Sequence, residues 1–276
     1  MTSDYQTIFS MIGIKEDWTL FMLVAGLIFI RFLVAITLTP YLGVKPVPGM
    51  IKTAVALALT IFMFPLVFPT VDRSQMPTGM MPVFVLFLKE TFFGALMGLV
   101  NMMIFFGIQS AGSMIDNQRY VANARIFNPA LGAQASVFGV FLYQLTIAVF
   151  IAIGGHRFFI KALAESFQTV PLLAFPHVAQ GFTPFMDLMI RLTADTLIIC
   201  LQLSMPVMIA IFVADLVLGI TNRIAPMINV FEMGFNIKGF VGVLLVYLSL
   251  PILILQCKYW FQVMIDYFQK TPLLFR

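Results

Sequence analysis

Charge is scarce in this chain. Of 276 residues only 12 are Asp or Glu and 16 are Lys or Arg, so 10 % are charged and 61 % hydrophobic. Soluble domains carry about a quarter charged and about half apolar residues, so an ordinary soluble domain is excluded. The net charge of +4 is mild and no basic stripe is clustered to neutralise phosphates, which argues against a nucleic-acid partner. The two cysteines, Cys200 and Cys257, both lie in apolar runs and read as small buried hydrophobes rather than as a disulfide. His156 and His177 are isolated. There is no His-Glu-x-x-His, no glycine-rich phosphate loop and no Cys or His cluster with metal spacing. Ser110 and Ser113 have no base near them in sequence. No cofactor, no metal and no enzymatic activity are expected.

Long apolar runs are abundant, and the mean hydropathy is +1.01. Runs over residues 18–39, 50–68, 83–108, 135–153, 186–218 and 239–255 are of the order needed to cross a hydrocarbon core of about 30 Å. They predict an all-α, polytopic membrane protein built of helical hairpins. Pro40 ends the first run, and that run is too long for the core of a cleaved signal. Residues 158–185, with Pro171, Pro176 and Pro184, read as short interfacial helices. Pro206 predicts a kink in the run that contains it. Residues 219–238 read as a polar-punctuated connection, and a mixed tail starts at Lys258. Lys and Arg fall on both sides of successive runs, so their bias gives no orientation.

Several charges interrupt the apolar runs. Arg31 has no acidic residue within a helical turn and must face protein or water, because an arginine at the centre of a span costs at least a few kcal/mol. Lys52, Lys89 and Glu90 make the same demand. Lys89 and Glu90 are adjacent, about 100° apart on a helix, so they are expected to pair poorly with each other and at least one should look to another helix. Asp187, Arg191 and Asp195 repeat at four and four, which predicts that Arg191 bridges both carboxylates in a structural ladder. Asp215 and Arg223 are expected to flank a helix end at Gly219, a residue free to take a positive φ.

The polar segment Gln109–Gln134, QSAGSMIDNQRYVANARIFNPALGAQ, lies between two apolar runs and holds three charges together with amides and glycines. It is too polar to face lipid, where each unpaired polar group costs several kcal/mol. It should lie against protein or line an aqueous space. Met114, a soft side chain inside it, is a candidate for a contact that conforms to a passing polypeptide.

The stretch AGSMIDNQR at Ala111–Arg119 and the stretch NPALGAQAS at Asn128–Ser136 resemble the T subunit of the type III secretion export apparatus (SctT, or FliR in flagella). So do Lys89-Glu90 with Gly94 and Gly98, the Gly154-Gly155-His156 turn, and Ala214-Asp215 through Gly219, Asn222-Arg223, Ala225-Pro226 and Asn229-Val230-Phe231, all in the family's order. The IDNQR form resembles the injectisome branch more than the flagellar one. Family members usually carry glycine after the Gln-Arg pair, where this chain has Tyr120.

The resemblance implies a helical export-gate assembly in the bacterial inner membrane, raised towards the periplasm. One T-type chain would join about five R-type and four S-type subunits, with the U-type switch subunit and the V-type gate subunit as further partners and exported polypeptides as cargo. It implies an R-like half over residues 1–160 and an S-like half over residues 161–276. A plug loop would fall at about 109–134. The plug maps onto Ser110, Ala111, Gly112, Ser113, Met114, Ile115, Asp116, Asn117, Gln118 and Arg119. On the same grounds Arg31, Lys52, Lys89 and Glu90 become candidates for pairs between subunits. A solute transporter using Asp187, Arg191 and Asp195 is the alternative, and it would favour repeated halves, of which none is evident.

Overall fold

The computed structural model describes residues 18–43, 47–72, 76–77, 79–119, 136–174 and 178–273. Its elements are α1 (Trp18–Leu38), α2 (Pro40–Gly43), α3 (Gly49–Val67) with a 3₁₀ turn at Phe68–Thr70, α4 (Met80–Gln118), α5 (Val137–Ala152), α6 (Gly155–Thr169), α7 (Val178–Ile224) and α8 (Val230–Leu273). No strand occurs among the described residues. Among the described residues, five helices are long and apolar enough to cross a membrane, and six spans result if the bent pair α5–α6 counts as one. The chain is a multi-pass membrane protein.

Three helices outrun a bilayer. At 1.5 Å per residue, α4 with 39 residues, α7 with 47 and α8 with 44 have contour lengths of about 58, 70 and 66 Å, roughly twice a hydrocarbon core. Here the structure departs from the sequence expectation. The third apolar run does not stop at Ile108; the helix carries on through the polar residues to Gln118. Helix α7 begins at Val178, runs through Pro206 and ends at Ile224, so Gly219 is helical and makes no turn. The supposed connection over 219–238 shrinks to a short turn at 225–229, since 219–224 end α7 and 230–238 open α8; the tail over 258–273 is helical in α8. The C-terminal part of that helix buries Cys257, Trp260, Phe261, Met264 and Phe268, an i, i+3, i+4 stripe that gives the mixed composition an apolar face. Helix α6 is short and amphipathic, with Phe159, Leu163, Ser166 and Phe167 buried along one side, whereas residues 178–185, expected as a further short helix, open the 47-residue α7.

The chain divides into two compact units. The first comprises Met1–Asn101, Phe159–Phe185 and Phe268–Arg276. Within it α4 meets α1 at two glycines four residues apart. A Cβ on Gly94 would sit 2.6 Å from the Arg31 carbonyl oxygen, and one on Gly98 would sit 2.7 Å from Leu38 Cβ. Small residues at this spacing let two membrane helices approach backbone to backbone. Phe32 packs on Phe167, and Phe159 packs on Phe268.

The second unit comprises Met102–Phe158 and Met186–Tyr267. Phe105, Phe150 and Phe261 form an aromatic cluster with centroids 5.0–5.6 Å apart. Ile115, Val207, Ile211 and Val246 form a second buried cluster, with Phe138 and Leu245 packed against it. The reversal after α5 uses Gly154 at φ +76°, the left-handed region that favours glycine.

Candidate functional site

Arg31, Lys89 and Glu90 meet in the first unit. Arg31 Nε donates to Glu90 Oε2, with both side chains fully buried. Lys89 Nζ lies 3.0 Å from Glu90 Oε1, so the adjacent pair does associate. The sequence expectation was wrong on this point because a lysine side chain is long enough to fold back across 100° of helix surface. Arg31 and Glu90 therefore pair within the chain rather than between subunits. The cations also serve backbone. Arg31 Nη1 donates to Ser166 Oγ at 3.0 Å and Nη2 to the Val170 carbonyl at 3.2 Å. Lys89 Nζ donates to the carbonyls of Pro171, Leu172 and Ala174 at 2.7, 2.7 and 3.1 Å. Helix α6 has ended there, so these carbonyls lack helical partners, and burying them unpaired would cost free energy. The guanidinium also lies 4.2 Å from the centre of the Phe167 ring.

The second constellation is the end of α4, in the second unit. Ala111, Gly112, Ile115 and Asp116 are buried and follow the helical repeat, whereas Asn117 and Gln118 are exposed. Ser110, Ser113, Met114 and Arg119 are half-buried. Asp116 points inward, not towards solvent. Its Oδ2 accepts from Ser136 Oγ at 2.5 Å and from the Phe138 N–H at 2.8 Å. Arg119 Nη1 donates to its Oδ1 at 3.3 Å. Ser136 in turn caps α5 by accepting from the Gly139 N–H at 2.7 Å. Arg119 stacks 4.4 Å from the centre of the Phe138 ring and lies over Gly242 of α8, whose missing side chain makes room for it. Burial pushes the Arg119 pKa down while Asp116 opposes the shift, and an arginine starts high enough to stay charged. Met114 Sδ accepts from Cys200 Sγ at 3.1 Å on α7. Tyr120 and residues 121–134, the rest of the polar segment, lie outside the described residues.

A sequence profile of the bacterial export proteins, family 1, matches residues 22–264. The chain belongs to that family. The flagellar biosynthetic protein FliR of Pectobacterium carotovorum is 28 % identical over 230 residues, covering 82 % of this chain and 83 % of the relative. The Yop proteins translocation protein T of Yersinia pestis is 29 % identical over 217 residues, 78 % and 81 % of the two chains. The secretion system apparatus protein SsaT of Salmonella typhimurium is 29 % identical over 162 residues, 59 % and 61 %. Flagellar and secretion-system relatives thus stand equally near this family member.

Among the remaining charges of this export protein, the Asp187/Arg191/Asp195 ladder and Asp215 depart from their sequence assignments. The ladder is split: Asp187 and Arg191 are exposed, whereas Asp195 is half-buried. Arg191 Nε donates to Asp187 alone, at 2.7 Å, with the two side chains 66 % and 59 % exposed. Asp195 Oδ2 instead accepts from Tyr267 Oη on α8 at 2.6 Å. Asp215 does not mark a helix end; it pairs with Lys238 of α8, a fully buried residue. Arg223 sits in the last turn of α7, where a cation complements the helix dipole. Lys52 is half-buried in the first turn of α3. Sequence reasoning missed Lys238, Ser136, Ser166 and Tyr267. Lys238 was findable, since a lone lysine in the apolar stretch FNIKGFVGV raises the same demand as Lys89. The others only make sense once distant helices meet.

Proposed function

We propose that this chain is a T-type subunit of an export gate in the bacterial inner membrane, where it forms part of the conduit for unfolded polypeptides and carries its plug. The observation that supports the reading is the end of α4: a polar helix terminus, rigidly seated on its inner face, presenting Asn117 and Gln118 outward directly before a hydrophilic segment. Amides there can hydrogen-bond across a closed constriction without carrying charge into it. In this reading residues 110–119 close the path, and R-type, S-type, U-type and V-type subunits surround the chain. The R-like half is 1–160 and the S-like half 161–276. Helices of about 58–70 Å contour length support an assembly that stands out of the bilayer towards the periplasm. Export energy comes from other components, so the chain acts as a conduit and not as an enzyme.

Deleting Ser110–Arg119 tests the reading. The complex should still co-purify with several small hydrophobic subunits in mild detergent, while membranes containing it leak small ions. A deleted complex that assembles and stays as tight as wild type refutes the plug. The transporter alternative loses its basis in the split ladder, whose only ion pair, Asp187–Arg191, is exposed and separate from Asp195.

A further inference from the structure

We propose that Asp116 is the positioning residue of the plug, a latch that fixes the last turn of α4 to the first turn of α5, and that export requires this contact to part. The inference rests on the plug assignment above. One carboxylate collects three donors: Ser136 Oγ at 2.5 Å, the Phe138 N–H at 2.8 Å and Arg119 at 3.3 Å. Asp116 is only 2 % exposed, so none of these bonds competes with bulk water. The acceptor sits at the N-terminus of α5, where unpaired N–H groups and the helix dipole favour an anion.

The surrounding packing makes this junction the place where the helix end is held. A Cβ on Gly112 would lie 2.5 Å from the Phe138 carbonyl and the Gly139 nitrogen, and one on Gly139 would lie 2.8 Å from Ser113 Oγ. Backbone therefore abuts backbone, and any movement of the α4 terminus must slide this contact. Arg119 answers the same carboxylate while stacking on Phe138, so both residues adjoining the exposed Asn117–Gln118 pair are turned inward. Asp116 and Arg119 thus hold, and Asn117 and Gln118 seal. A latch built on one carboxylate releases all three donors together when that group swings away, which suits a gate that must be tight at rest and open as a polymer passes.

The test uses the assembled complex in membrane vesicles, with ion leak and polypeptide export both measured. Asp116→Ala should raise leak at least tenfold, and Ser136→Ala should raise it less. Asp116→Asn, which keeps one acceptor oxygen, should fall between them. In a Cys200→Ala/Cys257→Ala background, Asp116→Cys with Ser136→Cys bridged by oxidation should stay tight and export at least tenfold less, and reductant should restore export. The bridged pair and Ser136→Ala decide the matter should Asp116→Ala fail to assemble. Export at the wild-type rate through the bridged complex overturns the latch. So does a tight Asp116→Ala complex beside a leaking Ser110–Arg119 deletion, which leaves the plug reading standing. A deletion that stays tight removes the plug and the latch together.

Discussion

Two charge triads in this protein are mirror images in sign and opposites in setting. Arg31, Lys89 and Glu90 place two cations on one anion, with the Arg31 and Glu90 side chains fully buried. Asp187, Arg191 and Asp195 offer two anions to one cation, and the pair that forms is more than half exposed. Burial explains the difference. Inside the first unit an unpaired charge or carbonyl costs several kcal/mol, so Arg31 and Lys89 are driven to satisfy Glu90 and the backbone that follows α6 at the same time. On the open face of α7 nothing enforces completeness. Arg191 settles for Asp187, and Asp195 turns to Tyr267. An exposed ion pair on a helix of membrane-spanning length still cannot face lipid tails, so that face belongs against water, headgroups or another subunit.

The contrast can be broken from the largest effect downwards. Glu90→Ala leaves Arg31 and Lys89 buried together without an anion and should destabilise the fold by about 3–5 kcal/mol, seen as loss of monodisperse protein after detergent extraction. Arg31→Met combined with Glu90→Met tests whether charge balance is the whole story. Because Arg31 also holds Ser166 and the Val170 carbonyl, stability should recover only in part; full recovery would reduce the triad to charge cancellation. Gly94→Ala pushes a methyl into the Arg31 carbonyl. That overpacking should cost about 1–3 kcal/mol and lower the thermal midpoint of the purified complex. Tyr267→Phe removes a bond to Asp195 and should cost about 1 kcal/mol. Arg191→Gln comes last: it should leave the thermal midpoint within experimental error. A clear fall in the assembled complex would locate a partner subunit on that face.

The helices were legible because each apolar run exceeds the length that only a span or a core helix can use. Their ends were not. Polar residues after Ile108 and around Gly219 looked like connections, yet the helix passes through both, since a polar residue is no helix breaker once its face meets protein or water. The demand that Arg31 find a partner was readable from its isolation. The partner, Glu90, stands 59 residues away. The Asp187/Arg191/Asp195 spacing was equally readable and misled, because i, i+4 proximity permits a bridge without burying it.

The polar stretch around Asp116 shows the same division. Its composition established that it could not face lipid. Which of its residues turn inward depended on Ser136, Phe138 and Gly242, contributed by other helices.

By itself the amino-acid sequence determined that this is a helical membrane protein with a hydrophilic interruption and a set of charges in need of partners, because hydropathy and periodicity are local properties. Only the tertiary structure decided which charges are buried, what each one answers and which face of the α4 terminus is held. Burial and long-range hydrogen bonds exist only after distant segments meet, and no spacing along the chain encodes their distances.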